Sequence, residues 1–257
     1  MLMMLRREWM VEWSRRHDLS VQDYERRIAN SAAYHDSLAT LPAARMNKFQ
    51  TRNALPFRGY SLVQWLPSGE LREGLTVLSA CLQDDFAQLG IDGWFSFLPS
   101  TTFHATVRDL LLGTVENEEQ YMQSVRTAAK QIESRHQLAP EMQVEGVSFM
   151  GESSLAIMLH PIDREGLATI VEIRQTIAEQ IERDGQPFTR LDAGDFFGHI
   201  TLSYPGGVLP TEVYRAAQKA ARARSEKVGV AGWLTFDNLE LRRFESMVEW
   251  SEALLTL

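Results

Sequence analysis

The spacing of apolar residues along this chain alternates between a helical period and a strand period, and that alternation divides it into elements. Residues 5 to 17 and 21 to 39 carry helical periodicity, the second with Val21, Tyr24, Ile28, Ala32 and Leu38 on one face, Ser20 as N-cap and Asp23 three places on. Pro42 and the polar run from Arg45 to Asn53 end this region. Tyr60 to Leu66 then reads as a strand, Pro67-Ser68-Gly69 as a turn, and Leu71 to Leu89 as an amphipathic helix. Trp94 to Leu98 is a short strand that leads through Pro99-Ser100 into another, Thr102 to Arg108. Glu116 to His136 is helical, Gln143 to Met150 and Leu155 to His160 alternate as a hairpin, and Asp163 to Arg183 is a long helix capped by Asp163. Phe196 to Tyr204 is a strand closed by Pro205-Gly206-Gly207, and Thr211 caps a helix to about Ser225. Val228 to Phe236 and Leu239 to Phe244 read as a hairpin around Asp237-Asn238, and the tail finishes the sheet or packs on it.

Two of these strands carry the same chemistry. In His199-Ile200-Thr201-Leu202-Ser203-Tyr204, strict alternation puts His199, Thr201 and Ser203 on one face, with Ile200, Leu202 and Tyr204 on the other. In His104-Ala105-Thr106-Val107-Arg108, it puts His104, Thr106 and Arg108 on one face. The two His-x-Thr motifs lie 95 residues apart, each has an aromatic just upstream (Phe103, Phe197), and each is followed by a helix and a predicted hairpin. That order reads as an internal duplication, visible in pattern rather than identity. Two such lobes paired about a pseudo-two-fold axis would line one groove with both His-x-Thr faces. The plainer alternative is a pair of strand histidines hydrogen-bonded to neighbouring hydroxyls.

Composition narrows the classes. With 257 residues and 44% hydrophobic, the chain can bury a full core as one large domain or two packed lobes. A formal charge of −8 argues against coating duplex nucleic acid or an anionic membrane, and no stretch approaches the length of a membrane span. One cysteine, Cys81, sits in an apolar helical run; it excludes an intramolecular disulfide and a cysteine-based zinc site, and it points to a reducing, cytoplasmic setting. The charged N-terminal residues lack an apolar run of signal-peptide length. There is no Gly-rich phosphate loop or zinc spacing, and His17, His35, His136 and His160 have no motif around them.

Two imidazoles and two hydroxyls in one groove can move protons near neutral pH and donate hydrogen bonds to phosphate oxygens. Two histidines without carboxylate or thiolate partners supply too few ligands for a usual zinc or iron site, so neither metal nor cofactor is expected. The paired signature, His104-Ala105-Thr106-Val107 and His199-Ile200-Thr201-Leu202 with Tyr204 after it, resembles the 2H phosphoesterase superfamily, which includes bacterial RNA 2′,3′-cyclic phosphodiesterases. The surrounding Lys48-Phe49, Pro56-Phe57-Arg58-Gly59, Leu98-Pro99-Ser100 and Phe197-Gly198-His199 look most like an uncharacterised, largely bacterial branch. The resemblance spans about residues 46 to 245. It implies a bilobal α+β fold of two antiparallel sheets around a cleft, with residues 1–45 as an N-terminal helical extension and 46–257 as the domain. It also implies His104, Thr106, His199 and Thr201 as the catalytic set, acting without metal on a cyclic phosphate of a nucleotide or short RNA end. Arg108, Ser203 and Phe197 are the candidate substrate contacts. A non-catalytic nucleotide-binding module using the same cleft is the alternative.

Overall fold

The computed structural model describes residues 48–50, 53–133, 140–150, 154–162, 164–188, 198–207, 209–230 and 232–257. The helices expected before residue 45, and the expected roles of Phe196, Phe197 and the Asp163 cap, lie outside them.

The chain enters through a small two-stranded ribbon, β1 (Phe49–Gln50) and β2 (Asn53–Ala54). Then follow β3 (Gly59–Trp65), α1 (Glu70–Gln88), β4 (Phe95–Phe97), β5 (His104–Leu112), α2 (Glu118–Glu133), β6 (Glu141–Met150) and β7 (Ser154–Pro161). After these come α3 (Arg164–Arg183), β8 (His199–Pro205), α4 (Thr211–Val228), β9 (Trp233–Thr235), β10 (Leu239–Phe244) and β11 (Leu255–Thr256). Among the described residues these strands make one nine-stranded antiparallel sheet, ordered β11-β10-β3-β5-β8-β7-β6-β9, with β4 beside β8. The fold is α+β, and the two expected sheets are the halves of this one, joined at its centre by the pair Ala105–Ile200 of β5 and β8. Thr211 begins α4 as its first residue; Pro210 holds the cap position, and its extended backbone leads the chain into the helix.

The duplication has a different unit from the one the pattern predicts. Residues 228 to 244 do not form a hairpin: β9 pairs with β6 at one end of the sheet, whereas β10 pairs with β3 in the other half. The repeated unit is strand, helix, His-x-Thr strand, helix, strand, realised as β3-α1-β5-α2-β6 and as β7-α3-β8-α4-β10. The last strand of each unit crosses to the other half, β6 beside β7 and β10 beside β3, so the halves interleave. The helices follow the same symmetry, α2 packing on α3 and α1 on α4. Asp85 of α1 and Arg224 of α4 hold the second pair in a two-pronged, half-buried ion pair.

One face of the sheet carries the helices and the core. Tyr60 packs at a tilt on Tyr121 of α2, Phe95 and Phe97 pack on Phe86 of α1, and Phe149 meets Tyr214 of α4. Ala105, Ile200 and Leu202 are fully buried in this layer. On the opposite face Val63, Ala156 and Met158 are buried yet stand apart from that cluster.

Close approach of backbones fixes the start of β3. A Cβ on Gly59 would collide with the carbonyl oxygen of Leu111 and lie 2.6 Å from Cζ of Phe244. Gly59→Ala is therefore expected to cost about 1–3 kcal/mol, read as a lower urea midpoint at unchanged slope. An unaltered midpoint would contradict the packing described.

Candidate active site

Each His-x-Thr strand contains a bulge directly after its threonine. Along β5 and β3, Trp65 lies opposite His104 and Val63 opposite Thr106, but Leu62 lies opposite Arg108, leaving Val107 as the extra residue. Along β8 and β7, Met158 lies opposite His199 and Ala156 opposite Thr201, but Leu155 lies opposite Ser203, leaving Leu202 as the extra residue. A bulge reverses the facing of everything beyond it. A second irregularity in β5, at Leu110 between Asp109 opposite Ser61 and Leu111 opposite Tyr60, reverses the facing once more. His104 and Thr106 thus share their face with Asp109 and Leu112, all four half-buried, whereas Ala105, Val107, Arg108, Leu110 and Leu111 are buried against the helices. His199 and Thr201 likewise share theirs with Tyr204.

Two expected substrate contacts are corrected by this register. Arg108 does not face the groove; it lies on the helix side, 8% exposed, with its guanidinium 5.1 Å from the ring of Phe188. Ser203 is fully buried opposite Phe97 on the same side. Asp109 and Tyr204, five residues after their respective histidines, take the groove positions instead. Strict alternation places Tyr204 on the helix side; the cross-strand register turns it to the other side, where it is still buried within the hydrophobic cluster.

The pair Ala105–Ile200 arranges the four motif side chains. Antiparallel register carried one residue either way sets His104 opposite Thr201 and Thr106 opposite His199. Facing side chains at such a pair have Cβ atoms about 5 Å apart. Each imidazole therefore neighbours the hydroxyl of the other strand, and all four groups lie on one side of one sheet.

His104 is enclosed by its neighbours. Its ring stacks on Trp65 at 5.2 Å and 12°, and the edge of Trp250 meets it at 4.5 Å. Arg242 covers Trp65 at 4.2 Å and pairs with Glu240. Nδ1 of His104 lies 2.7 Å from the carbonyl oxygen of Thr102, which can only accept, so Nδ1–H donates and Nε2 keeps its lone pair. Burial pushes the imidazole down to about 4; the Thr102 carbonyl opposes that shift, nearby His199 adds to it, Asp109 opposes it and Lys48 adds to it. Asp109 is fixed by a 2.5 Å hydrogen bond from Ser61.

Sequence reasoning missed four groups on this side. Trp65 and Trp250 are far from His104 in sequence, and Asp109 is hidden by the bulge. Lys48, noted only as family context, reaches Tyr204 Oη at 3.3 Å and lies over the rings of Tyr204 at 4.6 Å and Phe57 at 5.0 Å. Among the described residues no group of three or more His, Cys, Asp or Glu side chains is placed to hold a metal ion, and no helix is long and apolar enough to cross a membrane.

The depressed His104 predicts an acid-sensitive fold. Between pH 6.5 and about 4 the unfolded chain binds a proton there that the folded chain refuses, so stability present above pH 6.5 is lost as pH falls through that window. The loss is about 3 kcal/mol at most. Urea midpoints followed against pH should fall more steeply for the wild type than for His104→Asn, and parallel profiles would contradict the assignment.

No protein-family model matches the chain, and no curated protein matches it. Among solved structures, a conserved protein of unknown function from Agrobacterium tumefaciens aligns with a TM-score of 0.59 at 18% identity, over 81% of this chain and 90% of its own. A phosphoesterase aligns at 0.46 with 12% identity, over 79% and 98%, and Usb1 of Kluyveromyces marxianus at 0.46 with 10%, over 77% and 95%. The chain has the bilobal α+β fold that its paired His-x-Thr signature implies, and it shares that fold with the Agrobacterium protein.

Proposed function

We propose that this protein is a phosphodiesterase of the 2H type, which hydrolyses a cyclic phosphate on a nucleotide or short RNA end by acid–base catalysis from two histidines. The observation that carries this reading is the convergence of both His-x-Thr pairs on one side of the sheet, around Ala105 and Ile200. Burial holds His104 neutral with the Nε2 lone pair free, which suits it to the role of base and leaves the role of acid to His199. A water between His104 and the phosphorus gives its proton to Nε2 as its oxygen bonds to phosphorus. His199 protonates the ester oxygen as the ring P–O bond breaks, leaving a phosphate monoester. The hydroxyls of Thr106 and Thr201 donate to the non-bridging oxygens as charge gathers on them. Every proton in this scheme is carried by the chain's own groups. The acidity of the whole chain, −8, favours a small substrate over long RNA.

The test is turnover of a panel of nucleoside 2′,3′-cyclic monophosphates, and of a short RNA with a cyclic-phosphate end, in the presence of a metal chelator. Wild type is expected to turn over at least one member and to keep its rate in chelator. His104→Ala and His199→Ala should each lose 10²-fold or more, on the order of the contribution of a positioned acid or base. Thr106→Val and Thr201→Val should lose roughly 10-fold or more. Absence of turnover across the panel, with a nucleotide bound tightly and released by both histidine variants, would replace the enzyme by the binding-module reading.

A further inference from the structure

A cation outside the two motifs, Lys48, lies against Tyr204 and within electrostatic reach of His104. Lys48 sits where the β1–β2 ribbon begins, and its carbonyl oxygen accepts a hydrogen bond from the backbone N–H of Leu55 at 2.9 Å, which closes the ribbon over it. Its side chain leaves that anchor and passes between Phe57 and Tyr204. Phe57 is held in turn by stacking on Phe244 at 5.7 Å, and Phe244 by Trp250 at 4.9 Å, the same Trp250 that touches His104. One wall of this slot thus belongs to the β3 half of the sheet and the other, Tyr204, to the β8 half.

The aromatic slot does two things to the ammonium. Ring faces attract a cation and replace part of its hydration, so the head is held in place and partly dried. An ammonium has three donors, and Tyr204 Oη takes one of them. Among the described residues no other side chain takes the remaining two. The bulge at Leu202 is what makes the Tyr204 contact possible, since it turns Tyr204 away from the helices and onto the side that carries His199 and Thr201. Lys48 also acts on His104 as a neighbouring positive charge, which places it within electrostatic reach of the imidazoles.

We propose that Lys48, seated between Phe57 and Tyr204, is the anion-binding residue of the cleft and takes a non-bridging oxygen of the substrate phosphate, with the Tyr204 phenol holding the ammonium in place. This rests on the reading of the cleft as a phosphate site. A cyclic diester carries one negative charge at neutral pH, whereas the monoester product carries nearly two. A fixed cation therefore retains the product more strongly than it binds the substrate, so product inhibition is built into the same contact. Neither His-x-Thr motif supplies a permanent positive charge, and Lys48 does so without taking part in proton transfer.

Three variants test it: Lys48→Met, which keeps the length of the stem, Lys48→Arg, which keeps the charge, and Tyr204→Phe, which keeps the ring and loses the phenol. The probes are inorganic phosphate and cytidine 2′-monophosphate by calorimetry, with kcat and KM on the best cyclic substrate and thermal unfolding to establish that each variant is folded. Lys48→Met is expected to weaken both probes roughly 10- to 100-fold, the range for loss of a hydrogen bond to a charged group, and to flatten the salt dependence of binding. Arginine should restore most of it. In the same variant the titration of His104, followed by NMR, should move upwards as the neighbouring positive charge is lost. If wild type turns over its substrate and Lys48→Met binds phosphate and monophosphate as tightly, the proposal is overturned while the enzyme reading stands. If wild type binds both probes without turnover and Lys48→Met loses them, the lysine proposal stands and the catalytic reading falls.

Discussion

A single backbone pairing, Ala105 with Ile200, carries the junction between the two halves of the sheet, and the candidate chemistry is arranged around it. One such pairing is worth only about 1 kcal/mol net. It persists because both residues are fully buried, and because α2 against α3 and α1 against α4 back the junction with their own packing. The sheet beyond this point opens: β5 turns towards β3, and β4 takes the vacated edge of β8 through Phe95, Ser96 and Phe97. Chemistry is placed where the strands meet, and the core is built where they part.

The two bulges are the second constraint. Each follows its threonine at once, and each converts a strand that begins with chemistry on one side into a strand that buries two consecutive residues on the other. The buried pairs, Val107 with Arg108 and Leu202 with Ser203, anchor the strands to the helices. What the bulges return to the groove differs between halves: Asp109 in one, Tyr204 in the other. A pseudo-symmetric scaffold thereby becomes electrostatically asymmetric, with a carboxylate near His104 and, on the β8 side, a phenol that positions Lys48. The asymmetry bears on mechanism, because two identical imidazoles have no reason to divide the roles of acid and base.

Much of this was legible in the sequence, for reasons that can be stated. The strand period of His104-Ala105-Thr106-Val107 and its partner at His199, the long helical runs, and the hairpin of β6 and β7 all follow from local periodicity, and the repeated order of elements announced two related units. The bulges were not legible, since Val107 and Leu202 look like ordinary core residues of a strand, and a one-residue insertion reverses Arg108, Ser203 and Tyr204 together. Asp237-Asn238 has the composition of a hairpin turn, yet Trp233–Thr235 and Leu239–Phe244 join opposite ends of the sheet; turn chemistry specifies the bend and not the partner. Trp65, Trp250 and Lys48 reach the site through tertiary packing, which no local pattern encodes.

The central claim is that His104 and His199 act as one unit across the Ala105–Ile200 junction. The most direct measurement is a double-mutant cycle on kcat/KM for the preferred cyclic phosphate, using His104→Ala, His199→Ala and the double variant. If the histidines work on one proton-transfer event, each single loss will nearly equal the loss in the double variant, a strongly non-additive cycle. Additive losses, or a single variant retaining most of its rate, would mean that the two strands hold independent histidines and that the shared site does not exist.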